Sequence, residues 1–500
     1  MLSGPALVAE SVRVDDPGDL LELLPAGAEP ATFLADPAHG VEIAAVGVAA
    51  EVRAEGAARF ADAARAARAL LARVERHGPG PGPILVGGFA FEHAAPRDPA
   101  WRAFPALRLV LPARLWMRRG GSTWAIRVRA AAPGDTDGAG SEDAAGATAS
   151  TADDERGILP DRDRNAPALP DHDRLRWIDA AERAIADIRV GRLRKVVLAR
   201  ARRLPLGGDA DATACAVVRH LRDGRPECLT FWVRRGGASF VGSSPELLAR
   251  VDGGRIEAVA LAGSARRPGA RAADEAAARA LLASAKNRAE HAFVAADVGA
   301  ALAEVCTRVT APVAPAVRAY PEAFHLATPF AGVLGPDAGV LEAVAALHPT
   351  SAVCGVPRAE ALASIGALER CERGWYAGGV GWVGPAGAGT FAVALRAGLL
   401  RPGAATLYAG AGLVAHSEPA AEYDETEAKM SVMTAALTAA STATAAPPLP
   451  STPRGVPTAA PESVPAAAPA PAARRAAPAR PVGEMPAAVV PAGATGEAPR

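Results

Sequence analysis

The stretch Phe240–Ser264, FVGSSPELLARVDGGRIEAVALAGS, constrains the fold more than any other part of the chain. Apolar runs of about 5–7 residues are separated by a Ser-Ser-Pro corner and a Gly-Gly corner, which predicts strand, sharp turn, strand, tight turn, strand. Glu246 sits at the first corner, directly after Pro245 and before Leu247 and Leu248. A glutamate there is either a solvated turn residue, the ordinary fate of an acid, or a carboxyl carried into an apolar strand region, where burial without a partner is costly. The local residues favour the solvated reading, so the flanks must decide.

Before this stretch, Val41–Val52 reads as a strand, Ala57–His77 as an amphipathic helix, and Pro83–Glu92 as a buried strand with a glycine pair where backbones approach closely. Leu107–Leu115 and Ser122–Val128 form a hairpin candidate across Arg118–Gly121. From Ala131 to about Asp173 the sequence is dominated by Ala, Gly, Asp, Thr and Pro with hardly any large apolar residue, as expected of a mobile surface insertion. Helix Leu175–Ile188, strand Arg194–Leu204 and helix Ala210–Arg222 follow.

Downstream, one long helix is expected over Ala272–Cys306, with Leu282, Ala289 and Phe293 as its apolar stripe. A loop-rich segment, Ala316–Gly355, carries His325 and His348; Glu360–Leu368 is helical. Strands are expected at Ala377–Val383, Thr390–Leu399 and Ala405–Val414, then a helix at Ala420–Ala439. Residues 441–500 are Pro, Ala, Thr and Ser with few large apolar side chains, and are expected to be a disordered tail. The predicted organisation is a strand-rich part at 1–130, the insertion at 131–173, a core at 174–440 and the tail. Strands and helices mix without a regular β-α-β alternation, which predicts an α+β fold.

Lys plus Arg and Asp plus Glu both number 54, so charge balance suggests neither nucleic acid nor an anionic membrane as a partner. No basic segment followed by an apolar core opens the chain, and no charge-free apolar run of about 18 residues occurs. Cys215, Cys228, Cys306, Cys354 and Cys371 are scattered and odd in number, which reads as reduced thiols in a cytoplasmic protein.

Lys195 opens the apolar strand K-V-V-L-A. It is either a lysine that snorkels at a strand end or a partly desolvated amine able to take a proton. Glu290 lies in the run KNRAEHAFV, while Glu422, Glu425 and Lys429 share one face of the last helix and Met430, Met433 and Leu437 another. Helix-surface acids are commonly solvated; if these met in a cleft, their oxygens would suit Mg²⁺. Gly379, Gly381 and Gly384 satisfy G-x-G-x-x-G, but Pro385 and a further strand follow, so no helix N-terminus is there to hold a pyrophosphate. No G-x-x-x-x-G-K-[ST] is present, and His325 and His348 lack metal-ligand spacing.

Taken in order, RKVVLAR, SSPELLAR, LAGSARR, AKNRAEH, FHLATPF, LHPTSAVCGVP, VALR, YAGAGLV and EYDETEAK resemble the successive blocks of the chorismate-utilising enzymes. The likeness covers about Arg194–Ala436, and loosely the N-terminal part through VGGFAFE. It implies two facing antiparallel sheets with helices outside and the active site in the cleft. Within the family the chain is most similar to isochorismate synthases of the menaquinone or siderophore type. There Lys195 would be the base that activates water toward C2 of chorismate, and Glu246 the acid that protonates the departing C4 hydroxyl.

The resemblance further implies a Mg²⁺ site of Glu290, Glu422 and Glu425. Arg396, Tyr408, Gly410 and Gly412 would clamp the pyruvyl carboxylate, and Lys429 would add charge at the ring carboxylate. Gly263, Ser264, His325 and Thr328 would line the ring pocket, with Ala352 and Val353 as its apolar wall. Amine-using relatives carry glutamine at the place of Lys195, and aminodeoxychorismate synthases often carry a nucleophilic lysine at the place of Ala262. Both differences favour water as nucleophile, and no glutamine amidotransferase subunit is expected. Salicylate synthases, which go on to eliminate pyruvate, share the lysine base and remain the alternative; a non-catalytic binding protein on the same fold is a remote one.

Overall fold

The computed structural model describes residues 6–15, 17–131, 170–445 and 488–489. Most of the expected insertion and tail therefore lies outside the described residues. The helix after the insertion spans Pro170–Arg189, beginning about a turn earlier than composition suggested.

Alternating apolar residues build two large sheets, of 12 and 11 strands among the described residues. Neighbours are antiparallel except Leu7–Val14 beside Val74–His77. Strands of the first 130 residues are threaded into both: Ala31–Asp36 pairs with Leu229–Arg235, and Leu85–Phe89 with Gly379–Val383. Inner faces of the two sheets share one apolar core, to which Leu198, Phe240, Val380 and Phe391 belong. Burying a side chain such as Phe240 contributes about 2 kcal/mol. Helices Ala210–Gly224 and Pro419–Ala445 cover the outside of the larger sheet, packing Val217, Leu221, Met433 and Leu437 over Val241 and Leu407. No helix among the described residues is long and apolar enough to cross a membrane, and the five cysteines are free thiols.

Several expected elements are divided. The long helix breaks at Ser284 into Arg271–Ala283 and Ala285–Val305, because Ser284 is extended and its hydroxyl caps the second helix at the Asn287 amide. The break resets the helical register, so Leu282 and Phe293 are exposed at 40% and 38% while Leu281, Val294, Val298 and Leu302 are buried. The segment expected to be loop-rich contains the 12-residue strand Ala323–Leu334 and the helix Val340–Leu347.

The Ser-Ser-Pro corner is not a hairpin turn. Strand Ala238–Ser244 belongs to the larger sheet and Leu247–Asp252 to the smaller, so Glu246 stands where the chain crosses between them. A second crossing splits the strand expected over Thr390–Leu399 into Gly389–Val393 and Ala397–Arg401, with Arg396 between. The crossings run side by side: the Val393 amide donates to the Glu246 carbonyl at 3.0 Å, and the Ser243 amide to the Arg396 carbonyl at 3.3 Å.

Candidate active site

The cleft opens where the sheets part at these crossings. Its lining joins Lys195, Glu246, Gly263, Ser264, Glu290, His325, Ala352, Val353, Arg396, Gly410, Gly412, Glu425 and Lys429, residues spread over more than 230 positions of the chain.

Lys195 opens the strand Lys195–Pro205 and is buried, with Nζ 3.3 Å from Glu290 Oε1 on helix Ala285–Val305. Gly412, on the neighbouring strand Ala404–Leu413, makes room for it: a Cβ there would stand 3.0 Å from Lys195 Cε and 3.6 Å from Nζ.

Glu246 is buried. Its amide donates to Ser244 Oγ at 3.2 Å, and Tyr320 Oη donates to the carbonyl of Pro245 at 2.9 Å, so the corner is held on both sides. Burial raises its carboxyl pKa to about 7 against the opposing pull of Lys195, Arg396 and Lys429. Near neutrality it is divided between the acid and the carboxylate.

Arg396 is held at φ 48°, a left-handed backbone that costs a non-glycine residue roughly 1–2 kcal/mol. That conformation lies at the crossing and its residue lines the cleft, the kind of place where strain is retained for function. His325 is neutral, its pKa pushed down to about 3 by burial and then by the Arg396 charge. At Gly263, φ is +74° and the strand register shifts between Ala262 and Ser264; a Cβ would come within 3.1 Å of the Asn287 carbonyl.

Lys429 and Glu425 lie one turn apart on the C-terminal helix. Lys429 Nζ donates to Glu425 Oε1 at 2.6 Å and to the Gly410 carbonyl at 2.9 Å. The lysine holds the Glu425 carboxyl below the usual range. Glu422 is raised instead, by burial and then by the charge of Glu425.

Three expected residues do not line the cleft. Thr328 lies behind it, 2.7 Å from His291 Nε2, while His291 Nδ1 is 3.2 Å from the Ala262 carbonyl. A carbonyl only accepts, so Nδ1 carries the proton and Thr328 donates to Nε2 in the neutral ring. Tyr408 stacks on Tyr376 at 5.3 Å, and it is Tyr376 that reaches the lining. Glu422 is set back from the lining.

The expected metal ligands are likewise not gathered: among the described residues no three His, Cys, Asp or Glu side chains are close enough to hold a metal ion. Glu290 turns to Lys195 and Glu425 to Lys429. The donor chemistry nevertheless suits Mg²⁺, since carboxylate oxygens are its ligands, and the mutual repulsion of Glu422 and Glu425 is what a cation relieves.

Tyr376 and His291 were missed from sequence. Tyr376 stands within the small-residue run GWYAGGVG, and His291 directly follows Glu290; neither position signals a role without the fold.

Residues 4–438 match the protein family described as chorismate binding enzyme. A salicylate biosynthesis isochorismate synthase of Pseudomonas aeruginosa is 37% identical over 454 residues, 88% of this chain and 91% of the relative. The isochorismate synthase MenF of Bacillus subtilis is 33% identical over 360 residues, 71% of this chain and 75% of the relative. Among solved structures, the menaquinone-specific isochorismate synthase MenF of Escherichia coli has the same fold, with TM-score 0.69 at 23% identity over 87% of this chain and 95% of that one.

Proposed function

The chain belongs to the chorismate-binding enzyme family, and from that premise we propose that it is an isochorismate synthase. What carries the reading is the pairing of a buried lysine with a glutamate whose pKa is raised to about 7, both lining one cleft. Loss of a hydroxyl needs a proton donor at working pH, and addition of water needs a base.

In the proposed reaction Lys195 removes a proton from water as its oxygen bonds to C2 of chorismate. The ring double bonds shift, the C4–O bond breaks, and Glu246 delivers its proton to the leaving hydroxyl. One water enters and one leaves, so no redox partner is required. Arg396, with the backbone at Gly410 and Gly412, binds the pyruvyl carboxylate; Lys429 faces the ring carboxylate; Gly263, Ser264 and neutral His325 bound the ring opposite Ala352 and Val353. In the same proposal Glu290 and Glu425, which pair with lysines here, would turn with Glu422 to hold Mg²⁺, which when bound supplies positive charge for the ring carboxylate.

Purified protein incubated with chorismate and Mg²⁺, with products separated by chromatography, should accumulate isochorismate. Salicylate with pyruvate would reassign it as a salicylate synthase, and no turnover would refute both. Lys195→Ala should abolish water addition while chorismate still binds; substantial turnover by that variant would remove the base assignment. Chelation of divalent cations should stop the reaction and added Mg²⁺ restore it.

A further inference from the structure

The strand that carries Lys195 loses its neighbour early. Strand Gly355–Val356 pairs with Lys195 and Val196 alone, and the Val197 amide donates to the Cys354 carbonyl at 2.7 Å where that pairing ends. In an antiparallel strand the Val197 carbonyl and the Ala199 amide face that same edge. Both residues are buried, and a buried backbone group without a partner costs about 1–3 kcal/mol.

Two side chains take the place of the missing strand. Arg373 Nη2 donates to the Val197 carbonyl at 2.8 Å, and Glu369 Oε1 accepts from the Ala199 amide at 2.6 Å. They also pair with each other, Arg373 Nε lying 3.0 Å from Glu369 Oε2, with 3% and 4% of their side-chain surfaces exposed. The same guanidinium donates to the Val353 carbonyl at 2.8 Å and stacks 4.1 Å over Phe91, while the Arg373 carbonyl accepts from the Tyr376 amide at 2.9 Å. Val197, Val353 and Tyr376 all line the cleft, whereas Glu369 and Arg373 do not.

We propose that Glu369 and Arg373 are positioning residues: a two-residue substitute for an edge strand that fixes the Lys195 strand against the Val353 and Tyr376 wall. The proposal rests on reading the cleft as the isochorismate-forming site. A requirement for stability alone would not select this pair, since buried ion pairs are often replaced by apolar groups without loss. Apolar groups cannot, however, donate to two carbonyls and accept from an amide. The planar guanidinium fork serves both carbonyls and the carboxylate at once, which a lysine ammonium does not.

The test compares Arg373→Lys, which keeps the charge and loses the fork, with the milder Glu369→Gln, which keeps an acceptor for Ala199. Both are assayed at a temperature where circular dichroism shows them folded. In Arg373→Lys, kcat should fall about 30-fold through misplacement of the base, with KM changed less than about threefold; Glu369→Gln should retain more. Hydrogen exchange should quicken in peptides covering residues 195–204 and 350–357 and stay at the parental rate in residues 31–54, which touch neither side chain. A folded Arg373→Lys with parental kcat or parental exchange in those two segments overturns the proposal, as does exchange that rises throughout the chain. If the parent does not convert chorismate, the functional reading fails, and exchange in the two segments still decides whether the clamp exists.

Discussion

Two glutamates line the same cleft and are driven in opposite directions. Glu246 stands at a crossing between sheets, and desolvation dominates: its pKa rises to about 7 although three cations are near enough to oppose the rise. Glu425 lies on a helix with Lys429 one turn away, paired at 2.6 Å, and the lysine outweighs burial and lowers it. A backbone corner places no residue at helical spacing to pair with its side chain, whereas a helix supplies one at i+4. Two carboxyl groups that line one cleft are thereby driven apart in proton affinity, the separation that the proposed acid–base chemistry at neutral pH requires.

The contrast can be broken most severely by Glu246→Gln, which keeps the shape and removes the transferable proton. Turnover of chorismate should fall about 10³-fold, within the range for loss of a general acid, with binding retained in a direct titration. The same change at Glu425 should act mainly through binding, raising KM and weakening the Mg²⁺ dependence; equal losses of kcat in the two variants would erase the distinction.

Stability should separate the two glutamates next. A carboxyl raised from 4.5 to about 7 on folding withdraws stability as pH climbs through that window, and the loss persists above it. Glu246→Gln should therefore match the parent below pH 4.5 and exceed it by about 3 kcal/mol at pH 8 in denaturant titrations. Glu425 is lowered, so its contribution is present above the unfolded pKa and lost as pH falls; Glu425→Gln should lower stability at pH 8. With 38% of that side chain exposed, water screens its pairing and the change should be small. A destabilised Glu246→Gln at pH 8 would contradict the burial argument.

The parent's own pH profile bears on the same contrast. A donor with a pKa near 7 is lost to ionisation above it, so kcat should fall about tenfold per pH unit on the alkaline side, and a flat profile from pH 7 to 9 would exclude Glu246 as donor.

Much of the candidate site was legible because its residues stand in short blocks whose order survives in one dimension: Lys195 in RKVVLAR, Glu246 in SSPELLAR, Glu425 and Lys429 in EYDETEAK. The expected residues that fall outside the lining do so through side-chain direction. Thr328 is three residues from His325, yet lies behind the cleft, 2.7 Å from His291 Nε2. Tyr408 shares a strand face with Gly410 and Gly412, but Tyr376, from another segment, comes between it and the cleft. The helix break at Ser284 was hidden because alanine-rich sequence continues the helical pattern across it.

By itself the sequence determined the alternation that makes sheets, the block order that identifies the family, and the residue types able to act as base, acid and oxygen donors. Those are properties of single residues and near neighbours. Only the tertiary structure decided that Glu246 is a buried acid and not a solvated corner, that Arg396 crosses beside it with a left-handed backbone, and that Glu369 and Arg373 complete the edge of the Lys195 strand. Each depends on what surrounds a group in three dimensions, since desolvation and the satisfaction of a buried amide or carbonyl are set by neighbours distant in sequence.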